Sequence, residues 1–153
     1  MARLTILALL VASAAALKPR SSHKGLVVRG GGGMLTKSTY AKTVSGVFAA
    51  YGVQMLLMPK KMHEDHFETP SSTMTEFWIR GHAATIAAAS YALFALPAEI
   101  GHKVAWAWTA GIALLYPYNA KFSALSSYAP KYPMHYVPEV LMGTFLVLGA
   151  LAK

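Results

Sequence analysis

Cysteine is absent from the chain, which excludes disulfides, thiol chemistry and Cys-held metal clusters in any compartment. Acidic residues are scarce: six Asp and Glu stand against fourteen Lys and Arg, and none precedes Glu64. The Gly-x-Ser-x-Gly elbow of a serine hydrolase is missing, and Ser71-Ser72 and Ser126-Ser127 fall in polar loops. A phosphate-cradling loop is missing too. The four glycines at 30–33 follow no strand pattern, and no Lys-Ser pair comes directly after them. Charge is lacking from three long stretches: residues 81–96, 104–120 and 140–152 hold no Asp, Glu, Lys or Arg.

The formal net charge of +8 does not point to nucleic acid. Arg3, Lys18, Arg20, Lys24 and Arg29 all precede Gly33, and without them the remainder carries about +3. Beyond Lys60-Lys61 there is no basic cluster, and most aromatics lie in apolar runs rather than between cations. No nucleic-acid partner is expected.

The N-terminus reads as an address. Met1, Ala2 and Arg3 form a positive start, residues 4–12 are an apolar run, and Ala12-Ser13-Ala14 and Ala14-Ala15-Ala16 offer the small residues a signal peptidase needs. That run is about half of the roughly 20 residues needed to cross a bilayer, so residues 1–16 are expected to be a removable signal peptide. Residues 17–37 are basic, Gly- and Ser-rich and free of acid, the composition of an organelle transit segment.

A signal and a transit segment in series, joined through Ala12-Ser13-Ala14-Ala15-Ala16-Leu17-Lys18-Pro19, resemble the bipartite leaders of plastid proteins in algae with red-derived secondary plastids. Those leaders usually carry Phe after the cut, where this chain has Ala15 or Leu17. The resemblance implies a plastid destination. The alternative is a secreted or endomembrane protein with a basic spacer.

Residues 38–153 are expected to form one helical domain, with helices about 38–58, 74–96, 97–117 and 138–152. Pro59-Lys60-Lys61 ends the first, and Thr73 with Glu76 makes a capping box for the second. Pro97 and Pro138 suit first helical positions. The uncharged stretches lack the polar face of a bundle in water, and so short a chain cannot bury helices that are apolar all round. The fold class expected is therefore all-α, an integral membrane bundle of four transmembrane helices, three if the third or fourth segment lies in the interface. The small-xxx-small pairs Ser45/Ala49, Gly46/Ala50, Ala83/Ala87 and Ala84/Ala88 predict close helix approach.

Candidate catalytic residues are absent in recognisable form, and no enzyme is expected. Four residues are candidate chlorophyll ligands. His82 lies just inside the second helix beside small Ala83 and Ala84, which leave room for a flat ring. Glu99 and His102 sit with Lys103, Trp106 and Trp108 in a cluster that could hold a pigment or quinone head or serve as an interfacial anchor. His135 pairs with Glu139 before the last helix. His63 and His66 are weak metal candidates, one residue short of the His-Glu-x-x-His spacing and without a third ligand, in a segment, 59–76, read as a polar loop. Glu76-Phe77-Trp78-Ile79-Arg80 is only loosely similar to the antenna chlorophyll motif, so the chain is not placed in the antenna family.

The mature part resembles a small accessory membrane subunit of a photosystem or its antennae, without a matched motif. That resemblance implies a non-catalytic subunit in the plastid thylakoid membrane, packed among lipid, larger subunits and antenna proteins, with chlorophyll and carotenoid as cofactors. The alternative is a free-standing four-helix membrane protein, DoxX-like in outline, handling a quinone or lipid in an envelope or endomembrane.

Overall fold

In the computed structural model, the described residues are 35–122 and 129–153, with side chains 119–121 left aside. The expected signal peptide (1–16) and most of the transit-like segment (17–37) lie outside them.

Five helices follow in order among the described residues: α1 (Lys37–Leu57), α2 (Pro59–His66), α3 (Thr73–Ala95), α4 (Ala98–Phe122) and α5 (Tyr136–Leu151). The all-α expectation holds. Thr36 caps α1 by accepting from the Thr39 N–H at 3.1 Å. Ser72, one residue earlier than the expected cap, accepts from the Thr75 N–H at 3.1 Å and starts α3. Glu76 instead accepts from the Ser71 hydroxyl and faces Arg80 at 3.6 Å. Helix α2 occupies part of the segment read as a loop. Its Pro59 fills a first helical position, where the missing N–H costs nothing. Helix α4 continues through Pro117 to Phe122, past the expected end at 117.

The membrane expectation is corrected. Among the described residues, no helix is long and apolar enough to cross a membrane. Freedom from charge is not the same as strong apolarity. The uncharged part of α3 is built largely of Ala, with His82, Thr85, Ser90 and Tyr91, and gives little transfer energy per residue. The apolar middle of α4 is short, between Glu99, His102 and Lys103 on one side and Pro117, Tyr118 and Asn119 on the other. Helix α5 is apolar beyond Glu139 in its first turn, but its 16 residues extend about 24 Å against a core of about 30 Å. The bundle of four transmembrane helices, or of three, is therefore withdrawn. So is the multi-pass placement in the thylakoid membrane, together with its envelope and endomembrane alternatives.

Helix α1 is the centre of the fold, packing on α3 along one side and on α4 along the other, with α5 covering α4. The core comprises Tyr40, Ala41, Val44 and Phe48 of α1, Leu93 of α3, Ala105 of α4, and Met142 and Phe145 of α5. Phe48 stacks on Trp108 with ring centroids 4.2 Å apart. Two polar pairs are buried with their hydrogen bonds made: Tyr40 Oη meets Thr109 Oγ1 at 3.1 Å, and Ser45 Oγ donates to the Ser90 carbonyl at 2.7 Å. The α1–α3 contact uses one register of the small-residue pattern. Ser45 and Ala83 are buried there and Ala49 is half-buried, whereas Gly46, Ala50, Ala84, Ala87 and Ala88 are exposed. Gly52 completes it, because a Cβ added there would sit 3.3 Å from Ile86 Cγ2.

Segment 129–131 returns to the end of α2. The Lys131 N–H donates to the His66 carbonyl at 2.7 Å, the Glu68 N–H donates to the Ala129 carbonyl at 2.9 Å, and Lys131 Nζ donates to the Glu64 carbonyl at 3.0 Å. This clasp sets His135 under α2.

Candidate functional site

A cleft opens where α1, α2, α3 and α4 meet. Its inner compartment, about 190 Å³, is lined by Tyr51 and Met55 from α1, Met62, His63 and His66 from α2, Phe67, Thr75 and Ile79 beside or on α3, and Tyr116 from α4. Met55, His63, Phe67, Thr75 and Ile79 also line an outer compartment of about 330 Å³, which ends at Trp78 and His82. The inner end thus carries two phenols and an imidazole, and the walls are thioether, aromatic and aliphatic.

The imidazoles around this cleft are each held by a main-chain carbonyl. His63 Nε2 meets Thr69 O at 2.8 Å, His66 Nδ1 meets Met62 O at 2.8 Å, and His82 Nδ1 meets Trp78 O at 3.0 Å. A ring nitrogen facing a carbonyl must carry the proton, so in the neutral ring the other nitrogen keeps its lone pair: Nδ1 of His63, Nε2 of His66 and Nε2 of His82. These nitrogens can accept a hydrogen bond or ligate a metal. Among the described residues, however, no three His, Asp or Glu side chains group closely enough to hold a metal ion.

Behind the inner end lies a buried polar cluster. His135 is 0% exposed, and Tyr116 stacks on it with centroids 4.9 Å apart and planes 21° from parallel. Phe67, His66 and Tyr132 surround the same ring edge-on. Neither nitrogen of His135 has a hydrogen-bond partner, nor does the buried Oε1 of Glu139 one turn later. Unpartnered buried polar atoms are costly, at about 1–3 kcal/mol each. Burial pushes the His135 imidazole below its ordinary value and the His66 ring adds to that, while the Glu139 carboxylate and the His66 backbone oppose it. Burial drives the Tyr116 phenol well up, helped by Tyr51 and Glu139, and the Tyr51 phenol is raised by burial as well. Both phenols therefore stay protonated and can donate.

The other candidates stand elsewhere. His102 Nε2 donates to the Gly149 carbonyl at 2.8 Å, and Trp106 Nε1 donates to Leu146 O at 3.0 Å, so both fasten α4 to α5. Glu99 takes Lys37 at 3.0 Å rather than its helix neighbour Lys103. Trp108 is spent on Phe48. The fold brings His63, His66, His82 and His135 to one end, and leaves His102 at the α4–α5 seam and Glu99 on Lys37 of α1. Sequence reasoning missed Tyr51, Tyr116, Met55, Met62 and Ile79. The usable signal was two tyrosines set in otherwise apolar helical runs, since a buried phenol needs a hydrogen-bond partner.

Comparison with known protein families, with characterised proteins and with solved structures finds no match for this chain.

Proposed function

We propose that the chain is a non-catalytic accessory subunit of a photosynthetic pigment–protein assembly, a photosystem with its antennae, which fills space between larger subunits. The observation that carries this is the apolar exterior. Tyr91 is 77% exposed, Phe122 76% and Leu114 70%, and Trp78, Phe94, Tyr118, Val140 and Leu151 stand out alongside them on three helices. A lone protein in water rarely shows contiguous apolar surface beyond a few hundred Å², and larger surfaces mark contact with other molecules. The buried core of this fold is thin by comparison, so its faces are suited to being covered by neighbouring subunits. The leader, with its resemblance to plastid import signals, supports the photosynthetic setting.

His82 supplies a place for pigment. Its Nδ1 is committed to Trp78 O, its Nε2 lone pair is free to ligate, and Ala83 and Ala84 add no bulk beside it. That combination would suit His82 to hold the magnesium of a chlorophyll, which would supply light absorption there. Carotenoid has no comparable anchor among these residues and would be held by apolar contact alone.

Two substitutions test the reading in the native host. Leu114→Lys with Tyr118→Lys on the outer face of α4 should exclude the chain from its assembly while leaving its helix content intact. His82→Leu should lower the pigment count of the purified assembly by one chlorophyll. Normal incorporation of the doubly charged variant refutes the packing role, and an unchanged pigment count refutes the ligand.

A further inference from the structure

We propose that the cleft between α1, α2, α3 and α4 binds a single six-membered ring carrying oxygen substituents, of the quinone or quinol class, with its oxygen at Tyr51, Tyr116 and His66. The inner compartment has the volume for this. A cavity of about 150 Å³ accepts one benzene ring, and the inner compartment measures about 190 Å³. A tetrapyrrole macrocycle is far too large for it.

The lining fits the same class. Met55 and Met62 place polarisable sulfur against a ring, and Phe67 and Ile79 supply flat and aliphatic walls. At the inner end, the phenols of Tyr51 and Tyr116 can donate to a ring carbonyl. His66, with Nδ1 engaged by Met62 O, keeps Nε2 to accept from a ring hydroxyl. An alkyl chain or a plain hydrocarbon ring would leave these lining groups unpaired. The outer compartment, ending at Trp78 and His82, gives an apolar substituent a way out. The inference does not rest on the packing role, since a free-standing chain would present the same cleft.

The purified full chain, kept dispersed in mild detergent, is titrated with duroquinone, with its reduced form duroquinol, and with durene, which has the same ring and methyl groups but no oxygen. Saturable binding of duroquinone or duroquinol at one per chain is expected, with durene at least about tenfold weaker, as for a site built to hydrogen-bond. Duroquinone binding alone makes the phenols the operative partners, and tighter duroquinol binding makes the His66 acceptor operative. Ile79→Trp, which fills the cleft, should weaken binding at least about tenfold. Tyr116→Phe removes one hydroxyl, keeps the stack on His135, and should weaken binding roughly three- to tenfold. It decides the matter if Ile79→Trp does not fold. No saturable binding of either oxygenated ring, equal binding of durene, or affinity untouched by both substitutions overturns the proposal.

Discussion

His102 Nε2 lies 2.8 Å from the carbonyl oxygen of Gly149, a hydrogen bond that crosses the seam between α4 and α5. It requires the last turns of α5 to come down onto α4 and α1 with no side chain in the way. A Cβ placed on Gly149 would meet the Tyr40 ring at 2.7 Å and press on Trp106 as well. Tyr40 cannot step aside, because it is buried and hydrogen-bonded to Thr109. The Lys37 N–H to Lys153 carbonyl bond and the Lys153 N–H to Leu35 carbonyl bond, both 3.0 Å, close the same corner.

Gly149→Ala should therefore destabilise the fold by about 1–3 kcal/mol, the usual cost of overpacking. Gly143→Ala is the control: it lies on the same helix, and its added Cβ would meet nothing within 4 Å. It should be neutral or stabilising by up to about 1 kcal/mol, as when Ala replaces a helix-interior Gly. Chemical denaturation of the two variants beside the parent measures both, and equal midpoints for the pair would contradict the close approach.

His135 gives a pH dependence of definite sign. Burial lowers its affinity for protons in the folded state, against the partial opposition of Glu139. The unfolded chain takes the proton with an ordinary value near 6.5. Below that pH the unfolded state binds more protons than the folded one, so stability falls as pH falls, and above it this contribution is flat. The thermal midpoint should drop between pH 7.5 and pH 5.5, and His135→Phe should shrink that drop. A drop of equal size in the variant would contradict the assignment to His135.

Much of the helical pattern was legible, and for local reasons. Pro97 directly precedes α4, and Thr73 stands beside Ser72, the residue that caps α3. Pro138, expected to open the last helix, lies two residues inside α5, and the caps Thr36 and Ser72 went unread. Helix α2 was hidden because Pro59 followed by two lysines reads equally as a stop and as a first turn. The membrane reading failed on a physical distinction: Ala-rich sequence without charge is unopposed to lipid but weakly driven into it. Behind the cleft, the i,i+4 spacing of Glu139 and His135 was legible, but no hydrogen bond joins Glu139 Oε1 to the His135 ring. Its cover, Tyr116 from α4 with Tyr51 from α1 nearby, depends on how three helices converge, and no local spacing encodes that.

The leader makes its own prediction. Residues 1–37 fused to a fluorescent protein should deliver it to the plastid of an alga with a secondary red-derived plastid. Fluorescence confined to the secretory lumen would remove the photosynthetic setting while leaving the fold and the cleft untouched.

The central claim is that the apolar exterior of this chain is covered in life by the subunits of a pigmented assembly. Native cells extracted in mild detergent and fractionated by size, with the chain followed by a specific antibody, test it directly. The account predicts that the chain travels with a green, megadalton-scale complex. Recovery as a small colourless particle, with none in the green fractions, would contradict it.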